Sequence, residues 1–276
     1  MVEKNLENLG LDSFRQKLDL IDEDLKRLLN DRAEIAQKIA KIKSENNLPI
    51  YHPSREVEIL RKLVSSDDEK LNIAQIWSIW RSIINVNTTI QAPLNILIHQ
   101  DIGKPDYELI VNNFGLSNNI TISNSLFDYK NGLEKTSSTI KIISVESESL
   151  RDMDSHKEEI IGSLPQLYLY EQEPKLYIIG KSSKLKTFDD TLLFRVETNE
   201  NLSLKYSKSV ETISNILGIE TVTLQKLNKN VYVISIRLIN NKIKELCKKI
   251  GDIDFISKSE FIGRYATPHT MGEKIE

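Results

Sequence analysis

Residues 11–48 read LDSFRQKLDLIDEDLKRLLNDRAEIAQKIAKIKSENNL. The apolar positions Leu11, Phe14, Leu18, Ile21, Leu25, Leu28, Ile35, Ile39 and Ile42 fall alternately three and four residues apart, the spacing of a coiled-coil seam. Arg32 fills the single missing step. A charge in an apolar seam is costly unless something pairs with it, so Arg32 either fixes register or awaits a partner such as an anionic ligand. No proline or glycine interrupts the stretch and Pro49 follows it, which predicts one helix, with Asp12 or the Asn8 region as its cap. At 1.5 Å per residue, about 38 residues reach roughly 57 Å, longer than a compact domain of this size is wide. The far half of such a helix requires another chain.

Working outward, a second helix is expected to begin near His52-Pro53, carry Val57, Leu60 and Val64, and break at Ser65–Glu69. A third is expected from about Leu71 to Gln91, with Ile73, Ile76, Trp77, Trp80, Ile83, Ile84 and Ile90 at helical spacing and the two tryptophans as core anchors. Beyond Pro93 the texture becomes short β-prone runs at Leu94–Ile98, Ile120–Ile122, Ile140–Ile143 and Leu167–Tyr170. The charge-dense Glu146–Glu159 stretch reads as a solvated helix face or loop. After a polar turn at Ser182-Ser183 the order is strand Thr191–Val196, helix Ser207–Leu217 ended by Gly218, strand Thr221–Leu227 and strand Val231–Leu238. Helix Asn240–Ile250, ended by Gly251, and strand Phe255–Tyr265 complete a β-α-β-β-α-β order. The chain therefore divides into helices over 1–92, a small α/β region over 93–184 and the β-α-β-β-α-β unit over 185–276.

The 276 residues are 39% hydrophobic and 28% charged with a net charge of −3, and the pI is near 5.9. No global basic field recruits nucleic acid or a membrane surface, so an anion site must be local and its ligand small. The first ten residues, MVEKNLENLG, have neither a basic nor an apolar leader segment, and no apolar run would span a bilayer, so a cytoplasmic protein is expected. Cys247 stands alone in the apolar phase of a helix, and His52, His99, His156 and His269 lack ligand spacing, so neither a disulfide nor a metal site is expected.

On the first helix Arg32 and Lys43 are eleven residues apart, three turns plus about 20°, so both point one way some 16 Å apart and can flank one ligand. Arg15 is too far along the same helix to join Arg32 within one subunit, although an antiparallel partner would bring it across. The second helix opens with Arg55-Glu56, and Asn87 and Gln91 share a face of the third.

The stretch at 11–63 followed by IWRSIINVNTTIQ at 79–91 resembles the all-helical class of chorismate mutases, over roughly residues 8 to 93. Arg15, Arg32, Lys43, Arg55, Glu56 and Gln91 stand where that family's active-site residues are expected. His52 lies where some members have an acidic residue and Asn87 where serine is common. The resemblance implies three helices intertwined into a homodimer with shared sites and conversion of chorismate to prephenate, without metal or cofactor. It implies Arg32 and the partner's Arg15 as carboxylate clamps, with Arg55 supporting. Lys43 and Gln91 would donate to the ether oxygen, and Glu56 would accept from the ring hydroxyl. His52 and Asn87 would contact the substrate.

From Tyr170 onward, with LYIIGKSSKLKTFDDTLLFRV at 176–196 and FIGRYATP at 261–268, the chain resembles the end of a prephenate dehydratase joined to an ACT domain. Pro174-Lys175-Leu176 stands where a Thr-Arg-Phe signature belongs, and the Gly-Ala-Leu and Glu-Ser-Arg-Pro effector motifs are missing. The expectation is a degenerate, non-catalytic region. The rival readings are a silent helical dimer module with an amino-acid-sensing or partner-binding α/β domain, and a bifunctional mutase-dehydratase.

Overall fold

The structure, a computed structural model, describes residues 10–64, 70–125, 138–168, 173–181, 187–238 and 243–270. The expected cap at Asn8, the break at Ser65–Glu69, the end of the Leu167–Tyr170 run, the turn at Ser182-Ser183 and the first turn of the last helix lie outside those residues.

Three helices come first: α1 (Leu11–Glu45), α2 (Pro53–Val64) and α3 (Ile73–Gln91). Helix α1 starts one residue after Gly10, whose left-handed backbone takes the N-cap place, so Asp12 sits in the first turn and caps nothing. The helix stops three residues short of Leu48: Asn47 turns left-handed at φ 50°, and the Leu48 N–H bonds back to the Lys43 carbonyl at 2.9 Å. Pro53 opens α2 where a missing N–H costs nothing. Asn72 caps α3 with a reciprocal bond to Gln75, each 2.9 Å.

The rest is an α/β region: β1 (Asn95–His99), α4 (Lys104–Phe114), β2 (Asn119–Ser123), β3 (Thr139–Ser144), β4 (Glu159–Leu164), β5 (Leu167–Tyr168) and β6 (Leu176–Gly180). It continues through β7 (Asp190–Thr198), α5 (Tyr206–Leu217), β8 (Val222–Lys226), β9 (Val231–Leu238), α6 (Ile243–Gly251), β10 (Ile256–Ala266) and β11 (His269–Thr270). The β-α-β-β-α-β order expected from the sequence is present as β7-α5-β8-β9-α6-β10, its strands adjacent in the order β10-β7-β9-β8 and antiparallel throughout. The charged run is not all loop: it holds a 3₁₀ turn at Glu148–Asp152, and its last residue begins β4.

One sheet crosses the 184/185 division. Nine strands run β2-β1-β3-β6-β4-β10-β7-β9-β8, with β10 joined to β4 at Gly263 opposite Ile160. A Cβ at Gly263 would overlap the Ile160 backbone, so glycine is required where the two halves of the sheet meet. Leu192, Phe194 and Val196 of β7 pack under α5 and α6, while Ile96 and Ile98 of β1 pack on Ile110 and Phe114 of α4.

Several contacts dock the helices on this α/β region. Tyr51, in the α1–α2 connection, tilts against Phe114 at 5.4 Å. Trp77 of α3 stacks on His269 at 6.5 Å, and the Arg61 guanidinium of α2 donates to the carbonyls of Asp189 and Thr267. Helix α1 is different. Phe14, Leu18, Ile21, Leu25, Leu28, Ile35, Ile39 and Ile42 are 41–60% exposed, so this chain leaves the whole seam uncovered.

Candidate active site

Lys43, near the end of α1, lies against the end of α3. Its Nζ donates to Gln91 Oε1 at 2.8 Å and to the Ile50 carbonyl at 2.7 Å. An ammonium carries three donors, so a third is left for an incoming oxygen. Half-burial pushes its pKa down to about 8, with Glu56 pulling the other way. Gln91 Nε2 donates to the Asn87 carbonyl at 3.3 Å, one turn back, and Asn87 Nδ2 donates to the Ile83 carbonyl at 2.8 Å. His52, beside Lys43, is held down to about 4, first by burial and then by the ammonium, so it is neutral at pH 7.

Adjacent residues on a helix point about 100° apart, and α2 separates Arg55 from Glu56 accordingly. Arg55 is exposed and reaches Glu58 at 3.5 Å, an ordinary surface pair. Glu56 is buried. Its carboxylate accepts from Arg81 Nη2 at 2.8 Å and from Thr88 Oγ1 at 3.4 Å, both on α3. Burial raises its pKa, while Arg81, Thr88 and Lys43 restrain the rise.

The two remaining arginines lie on α1. Arg15 is exposed and pairs with Asp12 at 3.2 Å, and about 26 Å of helix separates it from Arg32. Arg32 is half-buried, and its Nη1 is enclosed with no hydrogen-bond partner among the described residues. Burial lowers its pKa. Thus Lys43, His52, Glu56, Asn87 and Gln91 converge between the helices, while Arg15 and Arg55 stand apart from them on this chain's surface.

Arg81 is the residue that sequence reasoning missed. Its Nη1 donates to Gln166 Oε1 at 2.9 Å, and its Nη2 also reaches Asn85 Oδ1 at 3.3 Å. The signal was present: Arg81, Asn85 and Thr88 fall at i, i+4 and i+7, on one face of the helix. Among the described residues no group of three His, Cys, Asp or Glu side chains could hold a metal. No described helix is long and apolar enough to cross a membrane.

The sequence of the helical part has known relatives. Residues 14–92 match the family model of chorismate mutase type II. The bifunctional chorismate mutase/prephenate dehydratase of Aquifex aeolicus is 48% identical over 59 residues, covering 21% of this chain and 16% of that protein. The enzyme of the same description from Neisseria gonorrhoeae is 28% identical over 101 residues, 37% of this chain and 27% of that protein. Among solved structures, the prephenate dehydratase of Streptococcus mutans superposes with a TM-score of 0.42 at 13% identity, over 64% of this chain and 99% of that one. The chorismate mutase match covers α1 from Phe14 together with all of α2 and α3, and the residues that converge on Lys43 all fall inside it.

Proposed function

We propose that this chain is a chorismate mutase, rearranging chorismate to prephenate in phenylalanine and tyrosine biosynthesis. The observation that carries the reading is the 2.8 Å bond between Lys43 and Gln91, residues 48 apart in sequence and on different helices. They are the two donors that the family resemblance assigned to the reacting oxygen, and α1 and α3 bring them together.

The reaction is intramolecular and needs no nucleophile. Its barrier falls when the dicarboxylate is held compact and when donors meet the charge that grows on the breaking ether oxygen. Arg32, with a buried nitrogen that has no hydrogen-bond partner among the described residues, suits one carboxylate. The third proton of Lys43 suits the ether oxygen. Gln91 joins it once its amide turns from the Asn87 carbonyl. Glu56, fixed by Arg81 and Thr88, offers a carboxylate to the ring hydroxyl. His52 and Asn87 line the same space.

Arg15 enters this scheme only from a second copy. The exposed seam supports a homodimer in which antiparallel α1 helices cover one another and carry Arg15 to the partner's Arg32. Arg55 then closes the rim. We assign 1–92 to the mutase unit and, both non-catalytic, 93–184 to a degenerate dehydratase-like region and 185–276 to an ACT-like domain, in a cytoplasmic enzyme acting on chorismate without cofactor, nucleic acid or membrane. The β10-β7-β9-β8 strand order supports the ACT-like assignment, and Pro174-Lys175-Leu176 in place of the dehydratase signature supports the loss of that activity.

The test is chorismate loss followed by ultraviolet absorbance, with prephenate identified as product. Arg32→Ala is expected to abolish it, and Lys43→Ala to lower kcat by about 10² to 10³, the worth of one such donor. No loss of chorismate with properly dimeric protein overturns the reading. Phenylpyruvate as product would replace it with a bifunctional enzyme.

A further inference from the structure

We propose that Gln166, a residue of the α/β region, is a positioning residue for the mutase site, acting through Arg81 on Glu56. The inference rests on the mutase reading and extends it beyond the three helices. Gln166 lies in the connection between β4 and β5, and its own carbonyl is tied down by the His269 N–H at 3.1 Å. Its side-chain oxygen accepts Arg81 Nη1 at 2.9 Å while Arg81 Nη2 grips Glu56 at 2.8 Å. All three side chains are more than nine-tenths buried. A planar fork gripped at one nitrogen by a buried amide has its other nitrogen aimed, and this geometry aims it at Glu56.

The consequence is directional. Without the Gln166 oxygen, Arg81 keeps its charge but loses one of the contacts that fix the plane of its guanidinium, with Asn85 sharing the nitrogen already given to Glu56. The carboxylate then drifts from the position needed by the ring hydroxyl and also loses part of the field that keeps it ionised. The groups facing Glu56 are Arg81 from α3, Lys43 from α1 and the Tyr51 hydroxyl from the α1–α2 connection. Arg81 and Tyr51 both meet the α/β region, Tyr51 through Phe114 and beside Asn113 and Gln166. Arg81 alone among them carries a full charge bonded both to Gln166 and to Glu56, so a change at Gln166 reaches the carboxylate chiefly through that contact.

The experiment uses the full chain and chorismate. Gln166→Leu is expected to lower kcat/KM about tenfold by misplacing Glu56, and to move the acid limb of the pH profile upward. Arg81→Lys keeps the charge without the fork and is expected to do the same. The double variant Gln166→Leu/Arg81→Lys is then expected to be no worse than Arg81→Lys alone, because the two changes break one linkage. Wild-type protein that converts chorismate while Gln166→Leu keeps its pH profile, or additive losses in the double variant, overturns the inference and leaves the mutase reading standing. Wild-type protein that does not convert chorismate overturns both. If Gln166→Leu fails to fold, Arg81→Lys with an unmoved acid limb overturns the inference.

Discussion

Of the 35 residues in α1 only Ala36 is buried, whereas Leu192, Leu193, Phe194 and Val196 of β7 are each at most 1% exposed. Both elements are rich in apolar side chains. The strand has its faces covered by this chain alone: Leu192, Phe194 and Val196 pack under α5 and α6, and Leu193 packs among Tyr177, Ile262 and Tyr265 on the other side. The helix meets α3 along one edge and turns its seam outward. One half of the molecule completes its core internally, and the other half leaves an apolar seam exposed that the proposed second copy would cover. On that proposal the difference is also one between a scaffold and a site, because a pocket shared between subunits needs a core left unfinished within one of them.

Leu28→Asp is the strongest way to break that contrast. Leu28 lies one step before Arg32 in the seam, and in an antiparallel dimer the substitution buries two carboxylates among leucines. Sedimentation is expected to show monomer, and chorismate conversion is expected to vanish, since Arg15 no longer reaches Arg32. The near-ultraviolet dichroism of the sheet should persist. A variant that remains dimeric would show that the exposed seam is not the interface.

Phe194→Ala tests the other half. Its ring is buried in the β7 core, 5.6 Å from that of Phe261. Truncation there is expected to cost about 3 to 5 kcal/mol of unfolding free energy in urea. Sedimentation should be unchanged, because the sheet core does not depend on assembly. A coincident loss of dimer would mean that the two halves are not energetically separate.

The same contrast governs what could be read from the sequence. The seam was legible because a long helix repeats its pattern often enough to expose one exception, Arg32. The β7–β10 order was legible because alternating strands and Gly218, at φ 68°, mark their own boundaries. Strand β4 was hidden because it opens on Glu159 at the end of a charged run. That run has a partner that local pattern cannot show: Glu158 pairs at 2.7 Å with Lys141, a charge buried inside β3. Gln166 carried no local signal at all, since its meaning depends on Arg81, 85 residues earlier in the chain. Arg55 and Glu56 are adjacent in sequence, and the roughly 100° between neighbours on a helix leaves one at the surface and buries the other, a distinction that adjacency alone does not show.

The smallest expected effect is the most diagnostic of how α1 sits. Lys43 must be protonated to donate to the ether oxygen, and its pKa is pushed down to about 8 by the burial this chain provides. The group is charged below that value and neutral above it. The logarithm of kcat/KM is therefore expected to bend near pH 8 and fall about tenfold per unit beyond it. On the acid side Glu56 must stay ionised, and burial sets its limb above the usual carboxylate range. In the proposed dimer, further burial of Lys43 would move the alkaline limb lower, and a partner carboxylate brought near it would move the limb higher. A limb at pH 10 without such a carboxylate would mean that Lys43 remains fully solvated and that α1 does not hold its packing on α3. Arg32 could then not be opposite the donors of the same pocket.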